Sequence, residues 1–151
     1  MVDIMRDTRF LKTPRHLWLV GVVAVLFNAI GVYDYMMSKT GGPAYMASVG
    51  MTPAQIDHYQ TMPAWMSAVW AIGVFSAMAG SLLILLRNRS AGPVFALSLG
   101  AFLLSLVYTW GIAGAGEIMG QTAVISSAVI TAMLVLLLWY SLAMGKRGVL
   151  R

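Results

Sequence analysis

The stretch MPAWMSAVWAIGVFSAMAGSLLILLRNR occupies residues 62–89. Pro63 opens it, 23 residues (64–86) carry no charge, and Arg87 and Arg89 close it. At about 1.5 Å per residue a helix over that run is roughly 35 Å long, enough to cross a bilayer core of about 30 Å. Trp65 and Trp70 lie near its start, where amphipathic rings favour the membrane–water interface. The arginines at its far end mark the expected cytoplasmic side.

Three further runs of the same kind fit around it. The expected spans are approximately 17–37, 63–86, 93–114 and 121–144, and with their connections they use the whole chain of 151 residues as a single integral membrane domain. The expected fold is all-α: a transmembrane four-helix bundle, up-down-up-down, with a short outer surface helix between spans one and two. Composition agrees. Hydrophobic residues make up 60% and charged residues 10%, against about 25% charged in soluble domains.

The first span follows a basic segment containing Arg6, Arg9, Lys12 and Arg15. A basic start before an apolar run resembles a secretory signal. No clear A-x-A site follows it, so a retained signal-anchor helix is expected. Lys39, Gly41, Gly42 and Pro43 end this span, and a second short turn is expected from Pro43. Thr52-Pro53-Ala54-Gln55 then has the form of a helix start. Thr52 can cap, Pro53 suits the first helical position, and Gln55 can complete a capping box. Gly111, Gly114, Gly116 and Gly120 predict a flexible turn around Glu117 before the last span.

Charge fixes an expected orientation. Nine of the ten Lys and Arg residues flank the ends assigned to the inside, and only Lys39 lies on the other side. Both termini are therefore expected in the cytoplasm. The same distribution reads the net charge of +5 as a topology signal with some attraction to anionic lipid, and no nucleic-acid partner is expected. Cysteine is absent, which removes disulfides and thiolate chemistry.

Several segments resemble a family of small bacterial four-span membrane proteins often labelled "sugar transporter". They are residues 28–33 (NAIGVY), Pro63-Ala64-Trp65, residues 80–87 (GSLLILLR), Ala91, Phe95, Ser98-Leu99 and Trp139-Tyr140-Ser141. The resemblance implies a multi-pass protein of the bacterial inner membrane. It implies no catalytic residues.

Three groups of residues are candidates for function. Gly73, Ala77 and Gly80 share one face of span two, and Gly21, Ala24, Asn28 and Gly31 one face of span one. Small residues let helices approach closely where lipid gives no hydrophobic drive, so these are expected packing seams and a possible dimer face. Asn28 is the one amide well inside a span. With Ser98, Ser105 and Thr109 on span three and Ser127 and Thr131 on span four, it could line a polar seam or simply form interhelical hydrogen bonds. No span carries a central ionisable residue. On the outer rim, Asp34, Trp65, Glu117 and Gln121, with Asp57 and His58 nearby, could bind a cationic or hydroxylated solute, or be an ordinary aromatic belt.

Met36, Met37, Met46, Met51, Met62 and Met119 lie outside or near the outer ends, and thioethers suit Cu(I). They lack a repeated motif, and methionine also fills apolar surface well. No cofactor or metal is expected. No Ser-His-Asp set, H-E-x-x-H or phosphate loop is present. The expectation is a non-enzymatic membrane protein acting through helix packing, as a homo-oligomer or an accessory subunit of a membrane complex. The alternative is a small-solute, possibly sugar, transporter or channel.

Overall fold

The computed structural model describes residues 12–151; the tail residues Arg6 and Arg9 lie outside the described residues. The described chain is all-helical, with no strand among the described residues. In chain order it forms α1 (Arg15–Thr40), α2 (Gly42–Ser48), α3 (Pro53–Gln60), α4 (Ala64–Leu85), α5 (Ala91–Leu106, continued by a π-helical turn over Val107–Ile112) and α6 (Gly116–Lys146). α1, α4, α5 with its π turn, and α6 are each long and apolar enough to cross a membrane. Their outer faces carry large apolar side chains. On α1 alone, Leu19, Val22, Val23, Leu26 and Ile30 are exposed. Such continuous apolar surface is untenable in water, and its natural solvent is the acyl region of a bilayer.

The long helices pack in sequence: α1 on α4, α4 on α5, and α5 on α6. The seams are built from small residues. Gly21, Ala24 and Asn28 are buried on α1, and Ala77, Gly80 and Ser81 on α4. The α5 contribution is Ala91, Gly92, Phe95, Ser98 and Ala101. Close approach explains the choice. A Cβ placed on Gly21 would lie 2.9 Å from Leu85 Cγ, and one on Gly92 would lie 2.9 Å from Leu142 Cδ2. A side chain at either position would have to displace the facing leucine from its packing.

Side-chain and backbone contacts gather two ends. At the tail end, His16 Nδ1 lies 2.7 Å from Tyr140 Oη. The 87–89 link is tied to the last residues there: Arg89 N–H donates to Arg151 O (2.9 Å) and Arg151 N–H to Arg87 O (2.7 Å). Arg87 has a left-handed φ of 57° and its Nε donates to Val149 O at 3.3 Å. Val149 and Leu150 are buried beneath the helices. This end collects Lys12, Arg15, Arg87, Arg89, Lys146, Arg147 and Arg151.

At the cap end, α2 and α3 cover the helix ends. Pro43 sits in the first turn of α2 and Pro53 in that of α3. The capping box predicted at Thr52 is complete: residue 55 N–H donates to Thr52 Oγ1 (3.3 Å) and Thr52 N–H donates to Gln55 Oε1 (3.0 Å). The glycine-rich turn is shorter than the sequence predicts. Gly116 already begins α6, and the break falls at Gly120, whose φ of 71° and ψ of −179° suit glycine and strain other residues. That break leaves nearby carbonyls without their helical donors. Gln55 Nε2 supplies hydrogen bonds to Ile118 O and Met119 O, both at 3.0 Å. One glutamine thus caps α3 and ties it to the start of α6.

Candidate functional site

The cap end holds the densest cluster of polar and aromatic side chains. Its centre is Trp70 on α4. Tyr35 from α1 meets Trp70 edge-on at a ring separation of 4.9 Å, and Tyr59 from α3 approaches it at 5.6 Å. The π turn after α5 adds Tyr108, 6.2 Å from the His58 ring and 5.6 Å from the Trp65 ring. A π turn widens the helix locally and often marks a functional position. Here it brings Tyr108 against α3 and α4.

A cation already sits among these rings. Lys39 Nζ lies 5.9 Å from the Tyr35 ring centre and 5.7 Å from that of Trp70. It donates to Ser67 Oγ at 2.9 Å. The attraction that these aromatic faces offer a cation is thus already taken up by the protein's own lysine.

Asp34 accepts a hydrogen bond from Tyr45 Oη at 2.9 Å. This bond holds the Tyr45 phenol above its usual value, since deprotonation would set two anions side by side. Burial raises the Tyr59 phenol, and the Asp34 carboxylate adds to that effect. Burial lowers His58, which favours the neutral imidazole. His58 Nε2 and Ser38 Oγ are buried without a hydrogen-bond partner. Among the described residues, no three His, Cys, Asp or Glu side chains converge as a metal site.

The rim residues named from sequence are placed separately. Asp34 is engaged with Tyr45, and Trp65 stands half-exposed against Tyr108. Glu117 and Gln121 are exposed at the start of α6. The intramembrane hydroxyls turn to backbone. Ser98 Oγ donates to Gly73 O across the α4–α5 seam (2.7 Å). Ser105 Oγ donates to Ala101 O and Thr131 Oγ1 to Ser127 O, each within its own helix. Thr109 is half-buried in the π turn, and its carbonyl accepts from Ala115 N–H (2.9 Å). Asn28 meets none of these. Its Nδ2 donates to Ser81 Oγ at 2.8 Å, and Ser81 in turn donates to Ala77 O at 2.8 Å.

Gly73, Ala77 and Gly80 lie on the face of α4 turned toward α5. A Cβ on Gly80 would meet the Phe95 ring, and one on Gly73 would meet Ala101 Cβ. Of the six outer methionines, Met46 and Met119 are buried, and Met36 is half-exposed.

Sequence reasoning did not single out Tyr59, Trp70, Tyr108 or Ser81 as partners in a site. One signal was available. Lys39 is the sole cation on its side of the span pattern, beside a run rich in Tyr and Trp, and such a cation seeks a ring. Comparison with family models, curated proteins and solved structures finds no match for this chain.

Proposed function

We propose that this chain is a non-enzymatic inner-membrane protein that acts by packing against another membrane helix, from a second copy or from a larger complex. The observation that carries the reading is the exposed outer half of α6. Thr122, Ser126, Ala128 and Ala132 are exposed there, interleaved with Val124, Ile125 and Val129, and Ser127 is half-buried. On α1 the exposed positions between 18 and 30 are all large and apolar, with no small or hydroxylated residue among them: Trp18, Leu19, Val22, Val23, Leu26 and Ile30. Small and hydroxylated side chains give lipid poor contact but let a second helix approach closely and accept or donate hydrogen bonds. The chain threads alternately through the bilayer, with the basic tail end in the cytoplasm and the α2–α3 cap outside, as the charge bias favours.

The absence of native cysteine makes the test direct. Ser126→Cys is expected to cross-link in native membranes to another copy or to one discrete partner, while Leu26→Cys, on the α1 lipid face, does not. Equal cross-linking at both positions, or none at Ser126→Cys, sinks the packing role. Reporter fusions near Thr52 and Asn88 test the orientation. Thr52 inside and Asn88 outside would reverse it.

A solute-handling reading draws support from one feature, the unpartnered His58 Nε2 and Ser38 Oγ at the cap end. Under that reading Asp34→Asn and Glu117→Gln weaken uptake or ligand-induced stabilisation with membrane expression intact. Solute responses unchanged in both variants, and in Trp65→Ala, remove the rim from consideration.

A further inference from the structure

α1 and α6 flank a gap at the tail end. Two cavities lie along it. The first, about 380 Å³, is lined by Lys12, Pro14, His16, Met144, Arg147 and Val149. The second, about 370 Å³, presents an apolar surface drawn from α1 and α6, including Val20, Val23, Met133, Leu136 and Trp139. They meet at a shared shoulder. His16 lines the first, Tyr140 lines the second, and the two side chains are 2.7 Å apart.

From this juxtaposition we infer that the α1–α6 cleft is a binding site for one anionic phospholipid, its phosphate held by Lys12 and Arg147 and one acyl chain laid in the groove. Charge complementarity selects the headgroup. The first cavity offers two cations and an imidazole, with no Asp or Glu in its lining among the described residues. Basic pockets between membrane helices suit lipid phosphates. Depth selects the chain. The α6 wall from Met133 to Tyr140 rises about 10 Å, inside the roughly 15 Å of a single leaflet. The basic cavity lies at the helix ends, lined by His16 in the first turn of α1 and Met144 in the last turn of α6, where a headgroup would sit above the groove. Trp139 is exposed on the same wall, where an interfacial ring belongs. The inference does not depend on helix pairing, which concerns the opposite half of α6.

Native mass spectrometry and thermal stability in uncharged detergent test it. The probes are phosphatidylglycerol, phosphatidylcholine with the same chains, and inorganic phosphate. One phosphatidylglycerol per chain is expected to remain bound and to stabilise, with phosphatidylcholine at least about tenfold weaker and phosphate without effect. Lys12→Gln with Arg147→Gln should abolish the preference. Arg89→Gln with Lys146→Gln removes the same charge from the same end outside the cavity lining, and should preserve it. Val23→Trp and Leu136→Trp, both at exposed groove positions, should weaken long-chain phosphatidylglycerol by filling the groove. Equal retention of the two lipids overturns the inference. So does equal loss in both charge pairs, which would mean diffuse attraction. Stabilisation by phosphate alone, or indifference to both tryptophans, removes the acyl-chain part and with it the lipid.

Discussion

A single methyl group on Gly80 should reveal how tightly α4 and α5 are joined. An ideal Cβ there would lie 3.0 Å from Phe95 Cε2 and Cζ and 3.1 Å from Cδ1. Phe95 is fully buried, so the ring has no open side to move into. Overpacking of this kind costs about 1–3 kcal/mol. Replacing glycine by alanine in a helix interior returns about 1 kcal/mol. The net expectation for Gly80→Ala is a loss of about 0–2 kcal/mol. Gly73, two turns earlier on the same face, supplies the control. Its Cβ would meet Ala101 Cβ at 3.6 Å, an ordinary contact. Gly73→Ala should therefore keep most of the helix gain and be neutral or stabilising by up to about 1 kcal/mol. Leucine at position 80 should be worse than alanine, because its branches have only the ring to enter. The assay is reversible unfolding in mixed micelles, followed by helical circular dichroism. A double-mutant cycle with Phe95→Leu identifies the cause: shrinking the ring should relieve Gly80→Ala and leave Gly73→Ala unchanged. If the two alanine variants shift stability equally, or Gly73→Ala is the more damaging, the close-contact reasoning fails.

Other perturbations read other contacts. Ser81→Ala strands the buried Asn28 amide and should cost about 1–2 kcal/mol; a cycle with Asn28→Ala should give a coupling near 0.6 kcal/mol and below about 1.7 kcal/mol, and no coupling would mean that the bond contributes nothing. Gln55→Glu keeps an oxygen for Thr52 N–H but loses the donor to Ile118 O and Met119 O. It should speed amide exchange around residues 118–122 while sparing the start of α3, whereas Gln55→Ala should loosen both. His58 titrates below its ordinary 6.5 because it is buried, so the unfolded chain binds the proton first. The His58 contribution should be constant above about pH 7.5 and fall as pH drops below about 6.5 toward the lower folded value. His58→Gln should flatten that fall, and an unchanged slope would assign it to another group.

The helical architecture was legible because bilayer physics leaves few choices. An uncharged run of more than about 20 residues must satisfy its backbone internally, and a helix does so. Thr52-Pro53-Ala54-Gln55 was equally legible, since a capping box is local chemistry written in adjacent residues. Gly120 was harder. Four glycines predict a turn somewhere between Gly111 and Gly120, but not that Gly116 begins a helix and Gly120 alone breaks it. That choice depends on Gln55, 63 residues away from Ile118, reaching the carbonyls that the break exposes.

Side-chain partners follow the same division between local and distant. Asn28 had to find a hydrogen bond, and sequence spacing named hydroxyls on spans three and four. Its partner Ser81 is on span two, because α4 lies between α1 and α5 and reaches the amide first. Ser98, Ser105 and Thr131 then needed no interhelical side-chain partner: a helix carbonyl three or four residues back, or one across a glycine-lined seam, is nearer than any other polar group. The two ends of the bundle differ for a related reason. At the cap end a lone cation has the Tyr35 and Trp70 rings and Ser67 within reach and is stabilised by them. At the tail end seven cations gather, and the acids among the described residues (Asp34, Asp57 and Glu117) lie on other elements. Among the described residues no acidic side chain is paired with these cations, which leaves their charge open to an external anion. In a membrane the abundant counter-charge at that depth is a lipid phosphate, and the cleft between α1 and α6 is where this fold leaves room for the chain attached to it.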